Sequence, residues 1–264
     1  MRIFILTALI CFPLGLSAAL VPPDARSDEP SAEQLVAAKA AYGKLGASYY
    51  ESKESDREAF KAYRFFFFAG NATDDTLRDL PELPFSFGLD LSNCPVTDAG
   101  LIHLKRLTRL TFLNLNTTGV TDAGLKHVKE LKNLVKLELY STKVADAGMK
   151  ELKELKNLTR LNLRETKITD DGLKGFGELK NLTHLNVGNT RVTDTGVKEI
   201  SQLSNLTHLS LSVCSGVTRA SVKELKSLKE LVELGLWWTP VSEAGVKEIQ
   251  EALPGCRIAS GYGM

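Results

Sequence analysis

The sequence predicts a single α/β solenoid, a right-handed horseshoe with a parallel β-sheet on its concave face, helices on its convex face and a repeat of about 24 residues. Three observations carry this expectation. Two neighbouring segments superpose position by position: Leu134, Leu137, Leu139, Thr142, Val144, Asp146, Gly148, Leu152 and Leu155 fall on Leu158, Leu161, Leu163, Thr166, Ile168, Asp170, Gly172, Phe176 and Leu179. Each copy opens on alternating leucines, the period of a strand, and closes on an amphipathic helical spacing. Further copies begin near Ser86, Leu110, Leu182, Leu206 and Leu231, with one extra residue in the SVCSGV stretch before Val217.

The chain divides as follows. Residues 1–19 read as an export signal peptide: Arg2, an apolar run, and small residues at Ser17, Ala18 and Ala19. The alternative is a short membrane anchor, although the run is shorter than the ~20 apolar residues a spanning helix needs. Residues 20–30, with three prolines among charges, form a flexible leader. Residues 31–61 hold a helix from Ser31, with Leu35, Ala38, Tyr42 and Leu45 on one face and Gly46 as its stop, and a short strand in ASYYES. The solenoid covers 62–258 and a C-terminal tail 259–264. RFFFFAG begins a degenerate first unit in which Phe65 and Phe67 align with Leu89 and Leu91, and Asp74 with Asp98. An atypical end unit is what a stack needs to close its exposed end.

Within a unit, the strand leucines point inward and the residues between them outward. Asp98, Asp122, Asp146, Asp170 and Asp194 precede helical patterns, where a carboxylate caps free N–H groups. Thr118, Thr142, Thr166 and Thr190, with Cys94 and Cys214 in equivalent places, mark the turn after the strand, where buried hydroxyls bond to loop backbone. Cys94 and Cys214 lie five units apart, about 24 Å at the spacing of stacked strands, too far for a disulfide. Asn71, Asn116, Asn157, Asn181 and Asn205 head N-x-T triplets; three recur with the repeat and read as scaffold residues of the helix-to-strand turn.

The LxxLxL opening fits the leucine-rich-repeat pattern. VTDAGL at 96–101 and again at 120–125, with T-x-V before the second copy and L-x-x-L after, resembles bacterial exported leucine-rich-repeat proteins of the ribonuclease-inhibitor-like superfamily. The likeness covers residues 62–258. A second resemblance is to the cysteine-containing repeats of F-box proteins, which carry Cys where Thr118 stands here; it implies, as an alternative function, a ubiquitin-ligase substrate-adaptor-like effector.

Composition narrows the function. The formal charge is +1, from 33 Lys and Arg against 32 Asp and Glu, and balanced charge argues against a nucleic-acid binder. Phosphate-loop, dinucleotide, zinc-protease, nucleophile-elbow and C-x-x-C motifs are missing. His103 and His127 share an outer helix position; His184 and His208 share an inner-face strand position, followed one unit later by Glu233. Two His and a Glu raise a metal-dependent enzyme as the other alternative, but strand spacing sets the outer members too far apart for ligands at ~2.0–2.2 Å from zinc.

The expectation is therefore a non-catalytic, exported, periplasmic or secreted monomer that binds a protein partner on its concave strand face, without cofactor, metal, nucleic acid or stable membrane insertion after signal removal. The outward positions form three columns. One runs Arg64, Gly88, Phe112, Lys136, Arg160, His184, His208, Glu233; the next includes Phe66, Asp90, Glu138 and Asn162; the third includes Phe68, Ser92, Tyr140, Arg164 and Trp237. Lys136, Glu138, Tyr140, Arg160, Arg164, His184, His208 and Trp237 are the candidate protein-binding residues. Phe66 and Phe68 either join this surface or pack under the N-terminal helix, and Trp237 and Trp238 either join it or cover the C-terminal end.

Overall fold

The computed structural model describes residues 29–51 and 64–261; the signal peptide and most of the leader lie outside them. Ten strands form one sheet in sequence order: β1 (Ser48–Glu51), β2 (Arg64–Phe67), β3 (Phe87–Asp90), β4 (Leu110–Asn114), β5 (Lys136–Glu138), β6 (Arg160–Asn162), β7 (His184–Asn186), β8 (His208–Ser210), β9 (Glu233–Trp237) and β10 (Arg257–Gly261). From β2 onward neighbours are parallel; β1 alone runs antiparallel, against β2. Helices α1 (Ala32–Lys44), α2 (Asp74–Asp79), α3 (Asp98–Leu101), α4 (Asp122–Val128), α5 (Asp146–Leu152), α6 (Asp170–Leu173), α7 (Asp194–Ile200), α8 (Val222–Leu225) and α9 (Glu243–Ala252) return the chain to the next strand. From α2 to α9 they stack on one another in the same order, while α1 packs on β1.

The core is the leucine ladder the repeat implies. Leu113, Leu137, Leu161, Leu185, Leu209 and Leu234 are buried and in register from β4 to β9. Each such side chain contributes about 1.5–3 kcal/mol by leaving water. A unit buries its leucines only against its neighbours, so stability grows by stacking.

Polar ladders fix the spacing between units. Asp74 accepts from the Thr97 backbone N–H and hydroxyl at 2.8 and 2.6 Å, and the pattern repeats for Asp98 with Thr121, Asp146 with Thr169, Asp170 with Thr193 and Asp194 with Thr218. The helix cap is therefore the threonine before the aspartate, whose hydroxyl accepts from the first turn, and the aspartates bond across units instead of capping their own helices. Alternation of T-D at the repeat period carried this signal. Asn133, Asn157, Asn181 and Asn205 donate their side-chain amides to the preceding unit's Thr108, Lys132, Lys156 and Lys180 carbonyls at 2.8–2.9 Å. The threonine two positions after Asn157, Asn181 or Asn205 likewise bonds back to the preceding unit. Both polar members of these three N-x-T triplets thus serve the scaffold.

Glycine in the VTDAGL pattern answers to the same contacts. A Cβ on Gly124 would lie 2.4 Å from Asp98 Oδ1 and 2.8 Å from Leu101 Cδ1. The position is a close approach between units and its φ is not positive. Left-handed backbone occurs elsewhere, one residue per unit after the strand, at Asn93, Thr117, Ser141, Glu165, Asn189, Val213 and Trp238. Thr118, Thr142 and Thr166 then donate their hydroxyls to Leu115, Leu139 and Leu163 carbonyls at 2.6–2.8 Å. Where cysteine replaces threonine, the thiol reaches the preceding unit: Cys94 to Phe68 O and Cys214 to Val187 O. Cys94, Cys214 and Cys256 are buried free thiols, and burial raises the pKa of each.

The first unit differs from its expected register by one residue. Phe66 pairs with Leu89 and both are buried, as is Phe68, while Phe65 and Phe67 face outward beside Gly88 and Asp90. The turn from Phe68 to Ala72 is one residue shorter than that from Leu91 to Val96, and a one-residue slip exchanges the faces of a strand. What selects this face is the cap. α1, opened by a capping box between Ser31 and Gln34, lays Tyr42 on Phe66 with ring centroids 4.1 Å apart. Tyr42 also donates to Pro81 O at 3.0 Å.

Candidate functional site

The outward strand face carries the candidate residues, and parallel register brings them into rows. Lys136, Arg160, His184, His208 and Glu233 are successive register partners from β5 to β9, and Arg257 extends the row on β10. All but Arg257 are half-buried. Tyr140 and Arg164 sit just past β5 and β6, in the turn held by left-handed Ser141 and Glu165. Their backbone N–H groups donate to Asn116 and Asn162 side chains at 2.7 and 3.1 Å. A rigid polar turn thus aims both side chains.

Three couplings organise the face. Lys136 Nζ lies 3.2 Å from Glu138 Oε1 and 4.9 Å from the Phe112 ring centre. Glu138 Oε2 also accepts from the Asn162 amide at 2.7 Å, so one carboxylate ties Lys136 of β5 to Asn162 of β6. The Arg164 guanidinium lies over the Tyr140 ring at 5.6 Å and 3.3 Å from Glu165, with half of its side chain exposed. His184 and His208 stack in parallel, 4.0 Å between ring centres and 7° between planes. The Nδ1 of each lies 2.9 Å from the hydroxyl of the preceding Thr183 or Thr207. Each of those hydroxyls also reaches the preceding unit's carbonyl, at 3.1 and 3.0 Å, and a hydroxyl that donates there accepts from the ring Nδ1–H.

Glu233, next in the row after His208, bonds to Arg257 at 2.9 Å. Among the described residues no group of three or more His, Cys, Asp or Glu side chains is placed to hold a metal ion. Trp237 ends the third column, 43% exposed, and β10 runs alongside so that Gly261 approaches its ring.

At the other end the sequence reading gave the outward places to Phe66 and Phe68, whereas Phe65 and Phe67 hold them. Tyr50 and Phe65 face each other across the antiparallel pair with ring centres 5.1 Å apart; Phe65 neighbours Phe67 at 6.4 Å and meets Phe112 edge-on at 6.0 Å. Gly88 leaves the gap: a Cβ there would lie 2.8 Å from the Phe112 ring and 2.9 Å from Phe65 Cβ. Left-handed Gly70 and Asn93, 23 residues apart, were the signal that would have set the correct register.

A family model described as a leucine-rich repeat region matches residues 119–257, and one described as a leucine-rich repeat matches residues 89–105. Among solved structures, an internalin C2 from Listeria monocytogenes is similar at 25% identity and a TM-score of 0.59, over 75% of this chain and 80% of that one. No curated protein matches the chain. No described helix is long and apolar enough to cross a membrane. The stacked strand–helix units, their leucine and asparagine ladders and the match over more than half the chain show that this protein belongs to the leucine-rich-repeat family.

Proposed function

We propose that this protein is a non-catalytic, exported interaction module whose strand face, the concave side of a curved solenoid, binds an extended acidic or mixed-polarity segment of a partner protein. The segment lies across Lys136, Tyr140, Arg160, Arg164 and His184, with Glu138, His208 and Trp237 at its margins. The observation that carries this reading is the Tyr140–Arg164 pair: two side chains of the types that most often carry binding energy, aimed outward by a rigid turn in mid-array. The similarity to an internalin C2 supports the repeat scaffold on which this reading is built.

Crosslinking and pull-down from the native envelope fraction is the route to the partner. Tyr140→Ala with Arg164→Ala is expected to weaken binding by at least ~2 kcal/mol with the fold intact. Lys150→Ala, exposed on the helical side, is expected to change nothing; an equal loss there, with none from the inner pair, moves the site to the helices. Stoichiometric zinc that is lost on His184→Ala would replace this reading with a metal-dependent one. For export, N-terminal sequencing of mature protein is expected to start at Leu20, and recovery of Met1 on membrane-bound material would show an anchor.

A further inference from the structure

The aromatic end of the strand face forms a hollow of about 300 Å³ lined by Tyr50, Phe65, Phe67, Phe68, Asp90 and Ser92. Three of its rings belong to the first two strands: Tyr50 of β1, 48% exposed, and the outward Phe65 and Phe67 of β2. Its far wall is polar. Asp90 is the register partner of Phe67 on β3, so a carboxylate stands one strand spacing from an aromatic ring. That carboxylate is oriented, since Asp90 Oδ1 accepts from the Ser92 backbone N–H at 2.9 Å, and among the described residues it makes no ion pair with a basic side chain. Ring faces attract a cation through their quadrupole, and a fixed anion beside them adds a directional charge. A purely apolar side chain would have to desolvate Asp90 without compensation.

We infer that this hollow is a cation-binding subsite, and that the segment proposed above carries a lysine, arginine or methylated ammonium which seats there while its acidic stretch lies on Lys136, Arg160 and Arg164. The inference rests on the proposed function for the second half of that statement only. Charge complementarity sets the ligand's layout. From β2 to β6 is four strand spacings, about 19 Å, which an extended chain crosses in roughly six residues. The partner segment is therefore bipolar, with one cation about six residues from an acidic tract.

Two measurements test it on the full chain. The first uses tetramethylammonium and its neutral isostere tert-butanol, followed through the aromatic NMR signals of Tyr50, Phe65 and Phe67. Saturable shifts are expected with the cation alone, and they are expected to vanish in Asp90→Asn, which keeps the acceptor for the Ser92 N–H and hence the turn. An equal response to tert-butanol, or none to either probe, overturns the subsite whatever binds elsewhere. The second uses fluorescent synthetic peptides with one arginine about six residues from a Glu-Asp-Glu tract, in both orders, and the same peptides with neutral citrulline in its place. The better-ordered arginine peptide is expected to bind at least about tenfold more tightly than its citrulline twin, a preference lost in Asp90→Asn; equal affinity overturns the inference. Arg164→Ala is expected to weaken both peptides alike. A preserved tetramethylammonium response with no effect of Arg164→Ala on peptide binding would sink the acidic half of the site and leave the cation subsite standing.

Discussion

The units around β5 and β6 and the unit around β2 solve the same packing problem with different chemistry. In the middle, leucine rows meet like rows, and Asp–Thr and Asn–carbonyl bonds recur from unit to unit, with Ala145 in place of one threonine. At the N-terminal end, among the described residues, α1 and β1 stand where a preceding unit would supply those partners. Phe66 is covered instead by Tyr42 of α1, and the sheet is closed by a strand of opposite direction. The contrast shows that periodicity suffices where a unit meets its own kind and that an end needs shape-specific aromatic packing. It also leaves the outward aromatics Phe65 and Phe67 at the end, away from the charged middle.

The largest expected effect separates these two modes directly. Phe66→Ala removes a fully buried ring and should cost ~3–5 kcal/mol, with lost hydrogen-exchange protection confined to α1, β1 and β2. Leu137→Ala should cost ~2–5 kcal/mol and loosen units on both sides of β5, because each stacks only on its neighbours. Equal protection along either mutant chain would abolish the distinction.

Gly124→Val tests the close approach between units. The added side chain meets the Asp98 carboxylate and Leu101, so a loss of about 1–3 kcal/mol by denaturant unfolding is expected, and α3–α4 should loosen first. A neutral result would mean that Asp98 can leave Thr121 at little cost.

One irregularity in the middle sharpens the ladder account. Ala145 stands where the flanking units carry the capping Thr121 and Thr169; it offers Asp122 only its backbone N–H, at 2.7 Å, and its helix has no side-chain cap. Ala145→Thr restores both bonds and should stabilise the protein by about 1 kcal/mol, read as a raised unfolding midpoint.

The smallest effect is a pH dependence near the C-terminal end. Burial tends to raise the Asp194 carboxyl, but hydrogen bonds from Ser221 and Thr218 outweigh it and hold the group below the usual carboxylate range. With the folded pKa depressed, this contribution is present above the unfolded value, about 3.9, and is lost as pH falls through the folded one. Asp194→Asn should therefore lower stability at neutral pH and flatten its loss in acid. An unchanged acid limb would assign the acid response to other groups.

The interior was legible because it repeats. Leu137, Thr142 and Asp146 recur with enough copies that strand, turn and helix could be read from spacing alone, and the outward places of Lys136, Tyr140, Arg160, Arg164, His184 and His208 followed from the two-residue period of a strand. The role of the aspartates did not follow, since a carboxylate at a helix start suits its own helix and the neighbouring unit equally; only stacking brought Asp98 within reach of Thr121. The stacked imidazoles, the Lys136–Glu138 pair and the aromatic hollow at Phe65 and Phe67 were likewise settled by tertiary structure. Period and face are local properties of the chain and are written into it many times over. The register of β2 appears once, and a shorter turn and the Tyr42 ring decide it, because burying Phe66 against α1 outweighs any preference held by four consecutive phenylalanines that read the same in either phase.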